Sequence, residues 1–249
     1  MKFAVAGATG RLGHHVVDVL HERGHEVVPV SRTNGVDIIT GDGLDTALAG
    51  TEVIIDAATG PSPEQEAATG FFTTATQNLQ AAGSRAGVRR IVVVSIIGIE
   101  NSAAGYNAAK VEHERAMLAG PIPAQILRAA QFHEFVEQLV DWGTQGDVAF
   151  VPVMRTQLVA ARTVAETLVE LALAPVPDIA GAPVPEVAGP REERLADAAR
   201  LLVARRGGPI RVQEVSDPAN PDRDLFENGG LLPSPHARLA GPSYADWLR

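Results

Sequence analysis

The tightest constraint on this chain is a glycine triplet, Gly7-Ala-Thr-Gly10-Arg-Leu-Gly13, set between a short apolar run and a helical pattern. Residues 2–6 are apolar and compact, so they read as a buried strand. Leu12, Val16, Val17 and Leu20 recur at helical spacing, and Gly24 ends that helix. In a strand–turn–helix unit the first glycine permits the tight turn, and the second lets backbone approach a bound group. The third lets the helix pack closely on the sheet. The helix N-terminus then directs free N–H groups at an anion.

The rest of the first half repeats this alternation. Strands are expected at residues 26–30, 36–40, 51–57, 91–97 and 124–127, and helices at 68–82 and 106–118. Strands alternating with helices imply parallel pairing through right-handed crossovers, and so a doubly wound sheet covered on both faces. The second half is less regular. Helices are expected at 132–142, 162–173 and 191–205, and strands at 148–153, 184–187 and 210–215. Pro and Gly are dense from 175 to 190 and from 218 to 242. The reading is one Rossmann-type α/β domain over 1–249. Residues 1–130 form the dinucleotide-binding core, and 131–249 form a small C-terminal α/β cap on the substrate side.

Composition removes several classes. The 249 residues include no cysteine, which excludes disulfide scaffolds, thiolate metal sites and cysteine nucleophiles. The net charge of −9 repels phosphate backbones, so nucleic acid is not an expected partner. No apolar run approaches the ~20 residues of a membrane helix. The expectation is a cytoplasmic protein acting on a small molecule.

The glycine turn in this context points to a dinucleotide, with Gly7, Thr9, Gly10, Arg11, Leu12 and Gly13 around its phosphates. An Asp or Glu at the end of the second strand favours NAD(H). This chain has Ser31-Arg32, a hydroxyl and a guanidinium that suit a 2′-phosphate, so NADP(H) is expected over NAD(H). Asp42 and Gly43 are expected near the adenine. Ala57, Ala58 and Thr59 are expected beside the pyrophosphate and the nicotinamide ribose.

Tyr106-Asn-Ala-Ala-Lys110 places a phenol and an ammonium four residues apart, on one helix face. A nearby cation lowers a phenol pKa, and such a phenol can pass a proton to a carbonyl oxygen as hydride arrives. The chain has only two tyrosines and two lysines. Chance alone gives such a pair about 0.02 times, so the match calls for an explanation. Ser95, ending the fifth expected strand, could hold the same substrate oxygen.

These segments, with VVVSIIGI, YNAAK and ILRAAQFHEF, resemble the short-chain dehydrogenase/reductase superfamily, most of all its atypical, NmrA-like NAD(P)-binding branch. The resemblance implies a Rossmann sheet of about seven strands and bound NADP(H) or NAD(H). It also implies the roles given above to Ser95, Tyr106 and Lys110, with Lys110 holding the nicotinamide ribose as well. Two features depart from it: a short gap between serine and tyrosine, and almost no second helix.

His21-Glu-Arg-Gly-His25 matches H-E-x-x-H formally, but Gly24 should end the helix between the two histidines, so no metal site is expected. His14 and His15 are adjacent and face different ways. Gln131, Phe132 and His133 follow the sixth expected strand, where substrates enter such folds, and are substrate-pocket candidates. His133 also fits a structural role. The function expected is an NADP(H)-dependent oxidoreductase passing hydride to a small carbonyl or quinone. Two alternatives stay open: a non-catalytic NAD(P)(H)-sensing regulator with a protein partner, and a sugar-nucleotide epimerase.

Overall fold

Short β-branched runs supply the strands of a parallel sheet in a computed structural model that describes residues 1–175 and 182–249. The chain divides into two compact units. The first comprises Met1–Ser95, Ala104–Arg128 and Val164–Val184, and the second comprises Ile96–Ala103, Ala129–Thr163 and Pro185–Arg249.

In the first unit β1 (Lys2–Ala6) leads into α1 (Gly13–Glu22) and β2 (Glu26–Val30). A short α2 (Leu44–Leu48) precedes β3 (Val53–Asp56), and the long α3 (Gln65–Ala86) leads to β4 (Arg90–Ile96). Then come α4 (Gly105–Leu118) and β5 (Ala124–Ala129). All four residues of β3 are buried, as expected of a central parallel strand covered on both faces. Phe3 stands opposite Val27 on one side and Val53 on the other, and Ile54 opposite Ile91. Ala4, Ala6, Ile54, Ile91 and Val93 pack with Leu48, Leu79 and Met117 in one core cluster.

The chain continues through α5 (His133–Gly143), β6 (Thr144–Gln145), β7 (Val148–Pro152) and β8 (Arg155–Thr156) to α6 (Ala161–Leu173). There follow β9 (Glu186–Ala188), β10 (Glu193–Arg194), α7 (Leu195–Arg206), β11 (Arg211–Val215), α8 (Arg223–Glu227), β12 (Arg238–Leu239) and α9 (Tyr244–Trp247). In the second unit, β11 pairs parallel with β7 and β6 pairs antiparallel with it, forming a small sheet. Val136 and Val140 of α5, Ala149 and Val151 of β7, Leu195 and Leu202 of α7, and Tyr244 share its core.

Among the described residues the main sheet has seven strands in the order β12-β9-β5-β4-β3-β1-β2. This is the expected Rossmann-type α/β fold. One strand expected from the sequence is absent. Residues 36–40 form no strand, with a turn at 38–40, and the sheet ends at β2. Gly35, Gly41 and Gly43 take φ values of 76°, 83° and 77° and bend the segment repeatedly. Asp37 accepts a bond from the Ile39 amide at 2.7 Å, and its carbonyl accepts one from Gly41. Asn78 of α3 donates to the Ile38 and Ile39 carbonyls. The apolar residues here serve packing, since Val36 joins the core, and strand pairing plays no part. The sequence pattern also missed α2, which is only five residues long. Residues 176–181 of the Pro/Gly-dense stretch lie outside the described residues.

Candidate functional site

The glycine turn cannot carry side chains at its first and third positions. A Cβ on Gly7, whose φ is 74°, would lie 2.7 Å from Ala58 Cα and 2.9 Å from the Ala57 carbonyl. A Cβ on Gly13 would lie 2.0 Å from the Gly7 carbonyl oxygen. The third glycine therefore lets the helix start against the turn itself, a closer constraint than the helix–sheet contact expected. At Gly10 the contact is milder, 3.1 Å from the same oxygen, which accepts the Gly10 amide at 2.8 Å. Thr9, Gly10 and Arg11 are exposed on the rim. Leu12 stands at the N-cap of α1 and makes no side-chain cap bond, and no acid occupies the first turn. A helix start with an apolar cap and no acid of its own fits a diphosphate, whose oxygens can take the orphan amides.

After β2, Ser31 donates to Asn34 Oδ1 at 2.5 Å and lies 2.9 Å from the Thr33 hydroxyl. Arg32 is exposed at the start of a single 3₁₀ turn. Gly43 caps α2, and Asp42, just before it, accepts the Asp37 amide at its carbonyl. These residues follow a turn where a strand was expected. A groove of about 520 Å³ lined by Val28, Pro29, Gly35, Val36 and Gly43 opens beside the edge strand.

The end of β3 meets α4. The Ala57 amide donates to the Ala6 carbonyl, and the Ala58 amide to Asp56 Oδ1. Thr59 and Tyr106 join hydroxyl to hydroxyl at 2.9 Å. Burial raises the Tyr106 pKa. The Thr59 bond opposes that and the Asp56 carboxylate adds to it. The lowered phenol pKa expected from the Tyr-x-x-x-Lys spacing is therefore not found, and the phenol is held protonated. Lys110 instead turns inward, donating to the Val94 carbonyl at 2.8 Å and lying 2.9 Å from His113 Nδ1. His113 Nε2 lies 3.2 Å from Asp56 Oδ2. The His113 ring stacks on Phe72 at 4.5 Å, and the Lys110 ammonium sits 4.7 Å from the same ring centre.

Burial brings the Lys110 pKa down to about 8, against the pull of Asp56 and Glu114. It also lowers that of His113, helped by the Lys110 charge. Burial pushes Asp56 up, but the His113 bond, the Ala58 amide and Lys110 outweigh it and hold the carboxyl below its usual range. Ser95 is buried, and its hydroxyl has no hydrogen-bond partner among the described residues.

Of the candidates, the structure joins Thr59 to Tyr106, and Lys110 to two residues the sequence reading missed, Asp56 and His113. Their signals were present: a lone acid closing an apolar strand, and a histidine three residues after Lys110 on one helix face. In the second unit, Gln131 accepts the Thr156 hydroxyl at 2.6 Å, and Phe132 bridges Val159. His133 is fully buried against Tyr244 and Trp247. His21 lies in the last turn of α1, and His25, past Gly24, packs on Phe3. Among the described residues no helix is long and apolar enough to cross a membrane.

Residues 7–173 match the model of a family described as NAD(P)H-binding. A search of curated proteins finds no match. Among solved structures, MoeE5 in complex with UDP-glucuronic acid and NAD is 17% identical with a TM-score of 0.75, covering 100% of this chain and 96% of that one. The UDP-glucose 4-epimerase of Thermus thermophilus in complex with NAD is 16% identical with a TM-score of 0.68, covering 97% and 91%. A short-chain dehydrogenase/reductase superfamily protein from Agrobacterium tumefaciens with bound NAD is 17% identical with a TM-score of 0.63, covering 86% and 85%. At such identities the likeness is one of fold. The family match runs from the glycine turn through α6, and the chain belongs to the NAD(P)H-binding family.

Proposed function

We propose that this protein is an NADP(H)-dependent oxidoreductase that transfers hydride to a small carbonyl or quinone. The glycine turn from Gly7 to Gly13, with Thr9, Arg11 and Leu12, would hold the pyrophosphate. Ser31 and Arg32 would hold the 2′-phosphate, Asp42 and Gly43 the adenine, and Ala57 to Thr59 the ribose side. The bound cofactor supplies the hydride.

The observation that carries the reading is the Tyr106 hydroxyl, bonded to Thr59 and kept protonated by burial. A protonated phenol is a donor, which suits proton delivery to a carbonyl oxygen in the reducing direction. Ser95, with an unpartnered buried hydroxyl, would hold that oxygen. Lys110 has used two of its three N–H donors on Val94 and His113, which leaves one for the ribose. The test is a screen of carbonyls and quinones for NADPH oxidation. Tyr106→Phe should lower turnover ~10²- to 10⁴-fold and leave NADPH affinity nearly unchanged. A substrate turned over at the parental rate by that variant overturns the assignment.

The inward fixing of Lys110 favours one second reading, a sensor that binds NAD(P)(H) without turnover. It predicts tight NADPH binding and no oxidation of NADPH by any compound in the screen.

A further inference from the structure

The Tyr106 ring is held at the start of α4 by its neighbours. The Gly105 amide donates to Gln65 Oε1 at 3.0 Å, which ties that start to α3. Phe72 of α3 meets the ring edge-on with centroids 5.7 Å apart, and Ala68 and Ala109 pack in the same cluster. The phenol hydroxyl reaches the turn after β3, where Thr59, an exposed residue, places its own hydroxyl 2.9 Å away. All of these residues belong to the first unit.

The two residues expected to serve this phenol are turned elsewhere. The Lys110 ammonium lies against the Val94 carbonyl and His113 Nδ1. The Ser95 hydroxyl has no hydrogen-bond partner among the described residues, so it does not touch the phenol. Thr59 does. A phenol has one proton to give, and once that proton is aimed at a substrate oxygen, the phenol oxygen can only accept. The Thr59 hydroxyl is then the donor. Burial and the Asp56 carboxylate both oppose negative charge on the phenol, and the Thr59 bond favours it.

We propose that Thr59 is the positioning residue of Tyr106: its hydroxyl donates to the phenol oxygen and stabilises the phenolate left when the proton departs. This is the part that the Tyr-x-x-x-Lys spacing had assigned to Lys110. As a step in catalysis it rests on the oxidoreductase reading. There the phenol O–H bond breaks and an O–H bond forms on the carbonyl oxygen, as hydride from the cofactor reaches the carbonyl carbon. The electron pair stays on Tyr106 Oη, the Thr59 O–H bond remains intact, and water afterwards returns a proton to Oη.

The chain has two tyrosines, so Tyr244→Phe leaves Tyr106 as the single phenol. That protein is labelled with meta-fluorotyrosine, whose fluorine lowers the phenol pKa into milder pH, and its ionisation is followed by fluorine NMR without NADPH or substrate. Thr59→Val removes one exposed hydroxyl and should raise the midpoint by about one pH unit or more, tenfold in the ionisation constant. Thr59→Ser should return it close to the parent, and Lys110→Met should move it less than Thr59→Val does. A midpoint unmoved by Thr59→Val, or moved further by Lys110→Met, overturns the proposal. With a carbonyl or quinone that the protein reduces, Thr59→Val should also lower kcat about tenfold, with recovery in Thr59→Ser. A parental kcat in Thr59→Val overturns it as well. The titration needs no turnover, so an empty substrate screen counts against the oxidoreductase reading alone, and an unmoved midpoint counts against Thr59 alone.

Discussion

His113 Nε2 lies 3.2 Å from Asp56 Oδ2, and both side chains are at most 2% exposed. Through His113 Nδ1 the contact extends to Lys110 and on to the Val94 carbonyl, so one carboxylate and one ammonium share a buried histidine. Breaking such a buried pair leaves an uncompensated charge and costs about 3–5 kcal/mol. Asp56→Asn should therefore lower the unfolding free energy by several kcal/mol in urea titrations. Asp45→Asn, which removes an exposed partner of Arg85, should cost less than about 1 kcal/mol. Equal losses in the two variants would show that the network is not held as described.

Lys110 gives a pH signature. Its pKa falls from 10.5 to about 8 on folding, so between those values the unfolded chain binds more protons than the folded one. Stability from this group must then rise with pH, by up to about 1.4 kcal/mol per pH unit. Tyr106 works the other way, because its raised pKa removes stability once the unfolded phenol ionises above 10. The clean window is pH 8 to 10. Urea midpoints there should rise with pH in the parent more steeply than in Lys110→Met. Parallel curves would contradict the assignment.

The glycines of the turn should not respond alike. At Gly13 a methyl group meets a backbone oxygen at 2.0 Å, and relief requires opening the turn. Gly13→Ala should destabilise the fold by about 2–4 kcal/mol and abolish NADPH binding. Gly10→Ala, with a 3.1 Å contact, should fold with a Tm near that of the parent and lose affinity through crowding of the phosphates. Thermal melts paired with NADPH fluorescence titrations separate the two effects.

Cofactor choice rests on Ser31 and Arg32, in a position where an acid would accept from a ribose. Arg32→Asp should weaken NADPH binding about tenfold or more and favour NADH. Equal affinities of the parent for the two cofactors would remove the basis for the 2′-phosphate reading.

The alternation of strand and helix was legible because buried parallel strands are continuous apolar runs, as in 53–55 and 91–93. The glycine turn was legible because its steric demand falls on residue identity. Residues 36–40 misled for the same reason that strands elsewhere did not. Val36 and Ile38 are apolar for the sake of the core, and the glycines on either side decide the backbone. The Tyr106–Lys110 spacing predicted a shared helix face but not what each head group meets. Asp56 and His113 are 57 residues apart, and only folding brings them together. His133 was identified as a candidate from its place after β5. Its contact with the Leu158 carbonyl is one that no local pattern announces.

The ending of the sheet at β2 has a consequence for the company this molecule keeps. An outer strand offers a row of unpaired amides and carbonyls on which another chain can build. Pro29 stands in that row, opposite Val5, and brings no N–H. A neighbouring strand laid along β2 would meet a missing donor at the fourth residue of a five-residue edge, and the flanking glycine-bent turns offer it no straight continuation. Edge-to-edge fusion of two such sheets at β2 is opposed by one imino acid.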